Sequence, residues 1–193
     1  MSMMQMLLGA SAAGETIEDW FVSKSFLGNS STNNSVNTGL DMTGKEGVVW
    51  IKGKSANFNP FTIGSMGQTS DPWHAYNYTN SSGYSGDTNQ YLTPGSSGFT
   101  MHGNNMFNYS PYYYGTWTFL KAKKFFDILE YDGTGNTQNI SHGLGCNPGL
   151  IIVKSYDSTN YWAVYHKSLG ATHFLKLGSD DNDGDLDEVV PAT

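Results

Sequence analysis

The chain has 193 residues, a formal net charge of −7, 14% charged and 14% aromatic residues, 23 glycines and one cysteine. The length is ample for a packed core, and the lone Cys146 excludes an internal disulfide. With no basic run beyond Lys121-Ala122-Lys123-Lys124 the electrostatic footprint of nucleic-acid binding is missing, and no stretch approaches the roughly 20 apolar residues of a membrane span.

A composition polar without being charged, rich in Gly, Ser, Thr and Asn, suits an all-β protein with many tight turns. Residues 1–19 read as an N-terminal arm. Met1 to Ala10 has a slight signal-peptide character, but its apolar run is short and no Lys or Arg precedes it. Met3, Met4, Met6, Leu7 and Leu8 form an apolar tag that a free monomer would expose. It either tucks under the first unit or, the favoured reading, anchors on a neighbour.

Trp20 to Leu27 alternates as a strand, and Gly28 to Asn34 is a turn of small polar residues. Val36 to Leu40, Val48 to Lys52 and Phe58 to Ile63 are the next strands. From Gly64 to Gly98 the chain reads as loop, with Trp73, Tyr76, Tyr78 and Tyr84 set among Asn, Ser and Gly. These four are candidates for glycan or partner contact, since Tyr and Trp supply wide amphipathic area while Asn and Ser supply adaptable hydrogen bonds. The alternative is that they cover the ends of a sandwich. Phe99 to Met101 and Tyr109 to Phe119 return to strand character, and alternation puts Tyr113, Trp117 and Phe119 on one face.

The chain then begins again. Gly47-Val48-Val49-Trp50-Ile51-Lys52 returns 102 residues later as Gly149-Leu150-Ile151-Ile152-Val153-Lys154, and several other equivalences lie at similar separations. Each copy is a short β-branched run bounded by Gly and a turn, which predicts a central strand whose terminal lysine keeps its ammonium in water. The first unit spans 20–124. The second, 125–178, opens with a strand at Phe125 to Tyr131, follows without a flexible linker, and lacks counterparts of about Tyr76 through Phe119. An acidic tail, 179–193, ends the chain.

Phe119-Leu120-Lys121-Ala122-Lys123-Lys124-Phe125-Phe126-Asp127-Ile128, Tyr131-Asp132-Gly133-Thr134-Gly135, His142-Gly143-Leu144-Gly145, Pro148 to Lys154 and Trp162 to Ala171 occur in that order. Together they resemble the tandem β-sandwich repeat of bacteriophage virion proteins, found in tail-fibre and related structural proteins of phages of marine and cyanobacterial hosts. The resemblance covers about residues 20 to 178. It implies an all-β, antiparallel, lectin-like sandwich of the concanavalin or jelly-roll kind, one repeat of about 104 residues plus a truncated second copy. It also implies a place in a phage particle, made in the host cytoplasm, and it carries no catalytic residues.

A truncated sheet leaves edges and an apolar face open. Another subunit completes it, it leans on the first unit, or the sequence is part of a longer fibre. Asp181, Asp183 and Asp185 lie near Gly184 as in calcium loops, but the bidentate glutamate is missing in that register. A solvated tail is the stronger reading, with no metal or cofactor expected. Neither Gly83-Tyr84-Ser85-Gly86 nor Gly95-Ser96-Ser97-Gly98 has nucleophile-elbow spacing, and the five histidines show no paired-ligand pattern. No enzyme is expected.

Three functions remain. The first is a tail fibre or tail appendage that self-associates, as a trimer by analogy, and attaches to other virion proteins. The second is a capsid decoration or head-fibre protein. The third is a carbohydrate-binding module contacting host surface glycan.

Overall fold

The computed structural model describes residues 16–55, 61–65, 73–78, 90–102, 107–155, 161–177 and 189–191. A single 3-10 turn, Ile17–Asp19, precedes the strands β1 (Phe21–Leu27), β2 (Asn33–Asn37), β3 (Gly47–Gly53), β4 (Phe61–Gly64), β5 (Trp73–Tyr78), β6 (Gln90–Gly95), β7 (Gly98–His102), β8 (Tyr113–Leu120), β9 (Leu150–Val153), β10 (Trp162–His166), β11 (His173–Leu177) and β12 (Val189–Pro191). All pairings are antiparallel. One sheet has eight strands in the order β1-β8-β3-β4-β5-β6-β7-β2, and a second has four in the order β12-β11-β10-β9.

β1 and β2 stand at opposite ends of the eight-stranded order, yet a short turn joins Leu27 to Asn33. The sheet must curl until its ends meet. Asn34 Nδ2 donates to Leu27 O at 3.0 Å across that junction. The concave side holds Val36, Leu40, Met42, Val49, Ile51, Ile63, Leu92, Phe99, Met101, Tyr114 and Leu120, all buried. On the convex side Val48 and half-buried Trp50 and Phe119 meet Phe125, Phe126, Ile128, Ile152, Trp162 and Val164. The four-stranded sheet therefore packs on the back of the larger one, and the fold is an all-β antiparallel sandwich. Trp50 and Trp162 stack across the gap, centroids 6.2 Å apart and planes 9° from parallel.

The order β3-β4-β5-β6 in the large sheet is matched by β9-β10-β11-β12 in the small one. Register agrees too: Val49 faces Ile63 as Ile151 faces Tyr165. The smaller sheet leans on the larger.

Several expectations are corrected. Phe125 to Tyr131 is not a strand: Ala122 and Phe126 form an isolated bridge and 127–134 has no regular structure. The corresponding β1 is held by β8 along its whole length, and β9 has no such neighbour to offer. The expected strand at Val36 to Leu40 lies earlier, at Asn33–Asn37, because β7 pairs there. Beyond it the amides of Thr38 and Gly39 turn to Ser97 O. Tyr109 to Tyr112 is a turn, so the aromatic strand starts at Tyr113. The presumed loop 64–98 contains β5 and β6, recruited by pairing with β4 and β7.

Candidate functional site

Across the convex face, β8 presents Tyr113, Gly115, Trp117 and Phe119 in alternation. Cross-strand register sets Phe21 and Val48 beside Phe119, Ser23 and Trp50 beside Trp117, and Ser25 and Lys52 beside Gly115. The smaller sheet covers the Phe119 end, where Phe21 and Phe119 lie 4.8 Å apart and Phe119 and Phe126 5.6 Å. The other end is open, with Tyr113 53% and Trp117 40% exposed. The Lys54 stem lies over Gly115: a Cβ there would meet Lys54 Cδ at 3.6 Å and the Trp117 ring at 3.8 Å, ordinary packing distances. Lys54 Nζ ends 3.2 Å from Ser25 Oγ.

The small sheet carries a second surface. Ile151, Val153, Tyr165 and Phe174 share the side turned away from the large sheet and are half-buried. Phe174 stacks on exposed Tyr161 at 5.9 Å, with Lys176 Nζ 5.1 Å from the Tyr161 ring. A cleft of about 260 Å³ lies beside the β6–β7 turn, lined by Ser35, Asn37, Ser97, Thr100 and neighbouring residues, none of them titratable.

Charged groups tie the large sheet to the segment that follows it. Lys121 Nζ lies 2.8 Å from Glu46 and 3.2 Å from buried Asp127. Burial works against the lysine's charge, but the Glu46 hydrogen bond and the Asp127 carboxylate outweigh it and its pKa is raised. Asp127 also accepts the amides of Ile128 and Gly143. Lys154 corrects the expectation of a solvated lysine. The face it shares with Ile152 is turned onto the large sheet, so it is only 1% exposed and burial lowers its pKa. Its Nζ donates to Ser155 O at 3.0 Å.

Three histidines serve local structure. His102 bridges Thr93 and Asn33 at 2.7 and 2.8 Å, while His142 and His166 accept the amides of Leu144 and Ser168. Among the described residues no three His, Cys, Asp or Glu side chains gather as a metal set.

Of the residues singled out from sequence, Trp73, Tyr76 and Tyr78 belong to β5, inside the eight-stranded sheet, which corrects their placement on a loop. Tyr84, the arm residues Met3, Met4, Met6, Leu7 and Leu8, and the tail carboxylates Asp181, Asp183 and Asp185 lie outside the described residues. Sequence reasoning saw the alternation of Tyr113 and Trp117 but not that they form an open surface. Alternation tells which residues share a face, not which face is covered.

Fold and surfaces define an all-β sandwich protein that presents an open aromatic platform on one sheet and an open apolar face on the other. The model of the domain of unknown function DUF7483 matches residues 16–191, and the chain belongs to that family. No curated protein and no solved structure matches the chain.

Proposed function

We propose that the chain is a self-assembling, non-catalytic structural component of a bacteriophage particle, a tail fibre or tail appendage that attaches to other virion proteins. One observation carries the reading. Val49, Ile51 and Ile63 are fully buried in the large sheet, whereas Ile151, Val153 and Tyr165, at matching positions, are turned outward and half-buried. A face with the pattern of a core but, among the described residues, no core around it calls for cover, and a second copy of the chain supplies it. The resemblance of residues 119–171 to virion repeats supplies the particle.

Light scattering after size exclusion tests the assembly. The expected result is a trimer or other closed oligomer that dissociates when Ile151→Thr and Val153→Thr are combined, with the β-sheet circular dichroism retained. A monomer of 21.1 kDa that unfolds cooperatively would overturn self-assembly. Antibodies against the chain, applied to phage particles, test the location: tail labelling supports the proposal, head labelling replaces it with the capsid-decoration reading, and unlabelled particles remove the virion role.

The open aromatic platform on β8 favours a second property, carbohydrate binding, which is compatible with either place in a particle.

A further inference from the structure

We propose that the convex face around Tyr113, Lys54 and Trp117 is a binding site for an acidic saccharide chain. The two rings stand on one strand face four residues apart, roughly 13 Å at a strand's rise per residue. Both are large and exposed. The space between them is not a gap, because the methylene stem of Lys54 lies over Gly115 and makes the surface continuous. Ring, aliphatic stem and ring follow one another along a strand that is hydrogen-bonded on both sides.

An exposed aromatic strip edged with hydroxyls suits pyranose rings. Their C–H faces lie on aromatic rings while equatorial hydroxyls reach polar groups at the edge, and a rigid strip loses little entropy on binding. Ser23 and Ser25 line the β1 edge, exposed and in register with Trp117 and Gly115.

Charge selects among saccharides. Lys54 Nζ stands at the middle of the strip beside Ser25. No acidic residue occupies the convex positions of β1, β3 and β8 from Ser23 to Leu27, Trp50 to Lys52 and Tyr113 to Trp117. This is a cationic spot on a chain of net charge −7. A carboxylate or sulfate carried by every sugar or two can meet this ammonium. A nucleic acid, with its denser phosphates, meets repulsion from the rest of the surface.

The site does not depend on self-assembly, and binding can be measured on the full chain in whatever oligomer it forms. Calorimetry at about 0.15 M ionic strength, where charges are screened beyond about 8 Å, would compare hexasaccharides of galacturonate, alginate and heparin with neutral cellohexaose. At least one acidic hexamer is expected to bind at least tenfold more tightly than cellohexaose. Trp117→Ala is expected to weaken that binding at least tenfold with the melting curve intact. Lys54→Met, which keeps the stem and removes the charge, is expected to erase the preference for the acidic hexamer without abolishing stacking. Failure of all three acidic hexamers to bind overturns the proposal. So does equal binding of cellohexaose, or undiminished binding by the Trp117 variant. A shift in oligomeric mass in Trp117→Ala without any saccharide binding would assign the strip to protein contact and also overturn it.

Discussion

Trp50 and Trp162 lie nearly parallel, 6.2 Å between centroids, one from each sheet. Trp50 is half-buried at the border between the covered and open halves of the convex face, while Trp162 is only 1% exposed. The indole Nε1 of Trp162 has no hydrogen-bond partner. Packing, not polarity, places this residue there.

Trp162→Ala is therefore expected to lower stability by about 3–5 kcal/mol, the usual cost of deleting a buried large aromatic. Trp162→Phe is expected to cost much less, because it also removes a buried donor that satisfies nothing. Denaturant melts of the three proteins check this. Equal losses for Phe and Ala would mean that the indole nitrogen matters after all.

Lys154 makes the sheet contact sensitive to pH. Burial lowers its pKa from the ordinary 10.5, so between the lowered value and 10.5 the unfolded chain binds more protons than the folded one. Stability then rises with pH across that window. Lys154→Met is expected to remove the rise, since the group that titrates is gone. Melting temperatures of both proteins from pH 7 to 10.5 measure it, and parallel profiles would refute it.

How far the sequence discloses this structure depends on the residue asked about. β3 and β9 are legible because Gly-bounded β-branched runs can hardly be anything but strands, and the alternation of Tyr113, Trp117 and Phe119 survives intact. β5 and β6 are not legible, because they are short segments set in an Asn-, Ser- and Gly-rich stretch and become strands only through the neighbours that pair with them. Phe125 to Tyr131 fails in the opposite sense: its pattern is that of β1, but the pairing strand is missing. Lys154 and the open strip share one cause. Which side of β9 or β8 is covered depends on how one sheet packs on another, and neither periodicity nor composition encodes that directly. The contact of Lys54 with Gly115 spans 61 positions of sequence, and no local signal marks it.

Asp127 anchors the irregular segment that replaces a strand. It is 3% exposed, pairs with Lys121 and accepts the amides of Ile128 and Gly143. Asp127→Ala is expected to cost about 1–3 kcal/mol, since the buried Ile128 amide left without an acceptor costs about that much. Hydrogen exchange at the Gly143 amide should accelerate at least tenfold, while exchange in β3 should change only as far as global stability does. Unchanged protection at Gly143 would show that water replaces the carboxylate without loss.

Asn108 closes the curled sheet where β1 turns into β2. Its side chain is fully buried: Nδ2 donates to Asn29 Oδ1 and Ser31 O, both at 3.0 Å, and Oδ1 accepts from Asn29 N at 3.1 Å and Asn34 Nδ2 at 2.7 Å. Both ends of the carboxamide are used, so Asn108→Asp is nearly identical in shape and wrong in chemistry. Two acceptors would then face a carboxylate oxygen in place of an NH₂. We expect a loss of about 3 kcal/mol at pH 7, the sum of two broken hydrogen bonds and a poorly compensated buried charge. Burial and the facing oxygens must raise the new carboxyl's pKa above its unfolded value. The folded state then binds more protons, so the deficit should shrink as the pH falls through that raised value towards 4. Denaturant titrations of both proteins at pH 7 and pH 4 decide it: a deficit that stays constant or grows on acidification would mean that the turn has rearranged to supply new donors.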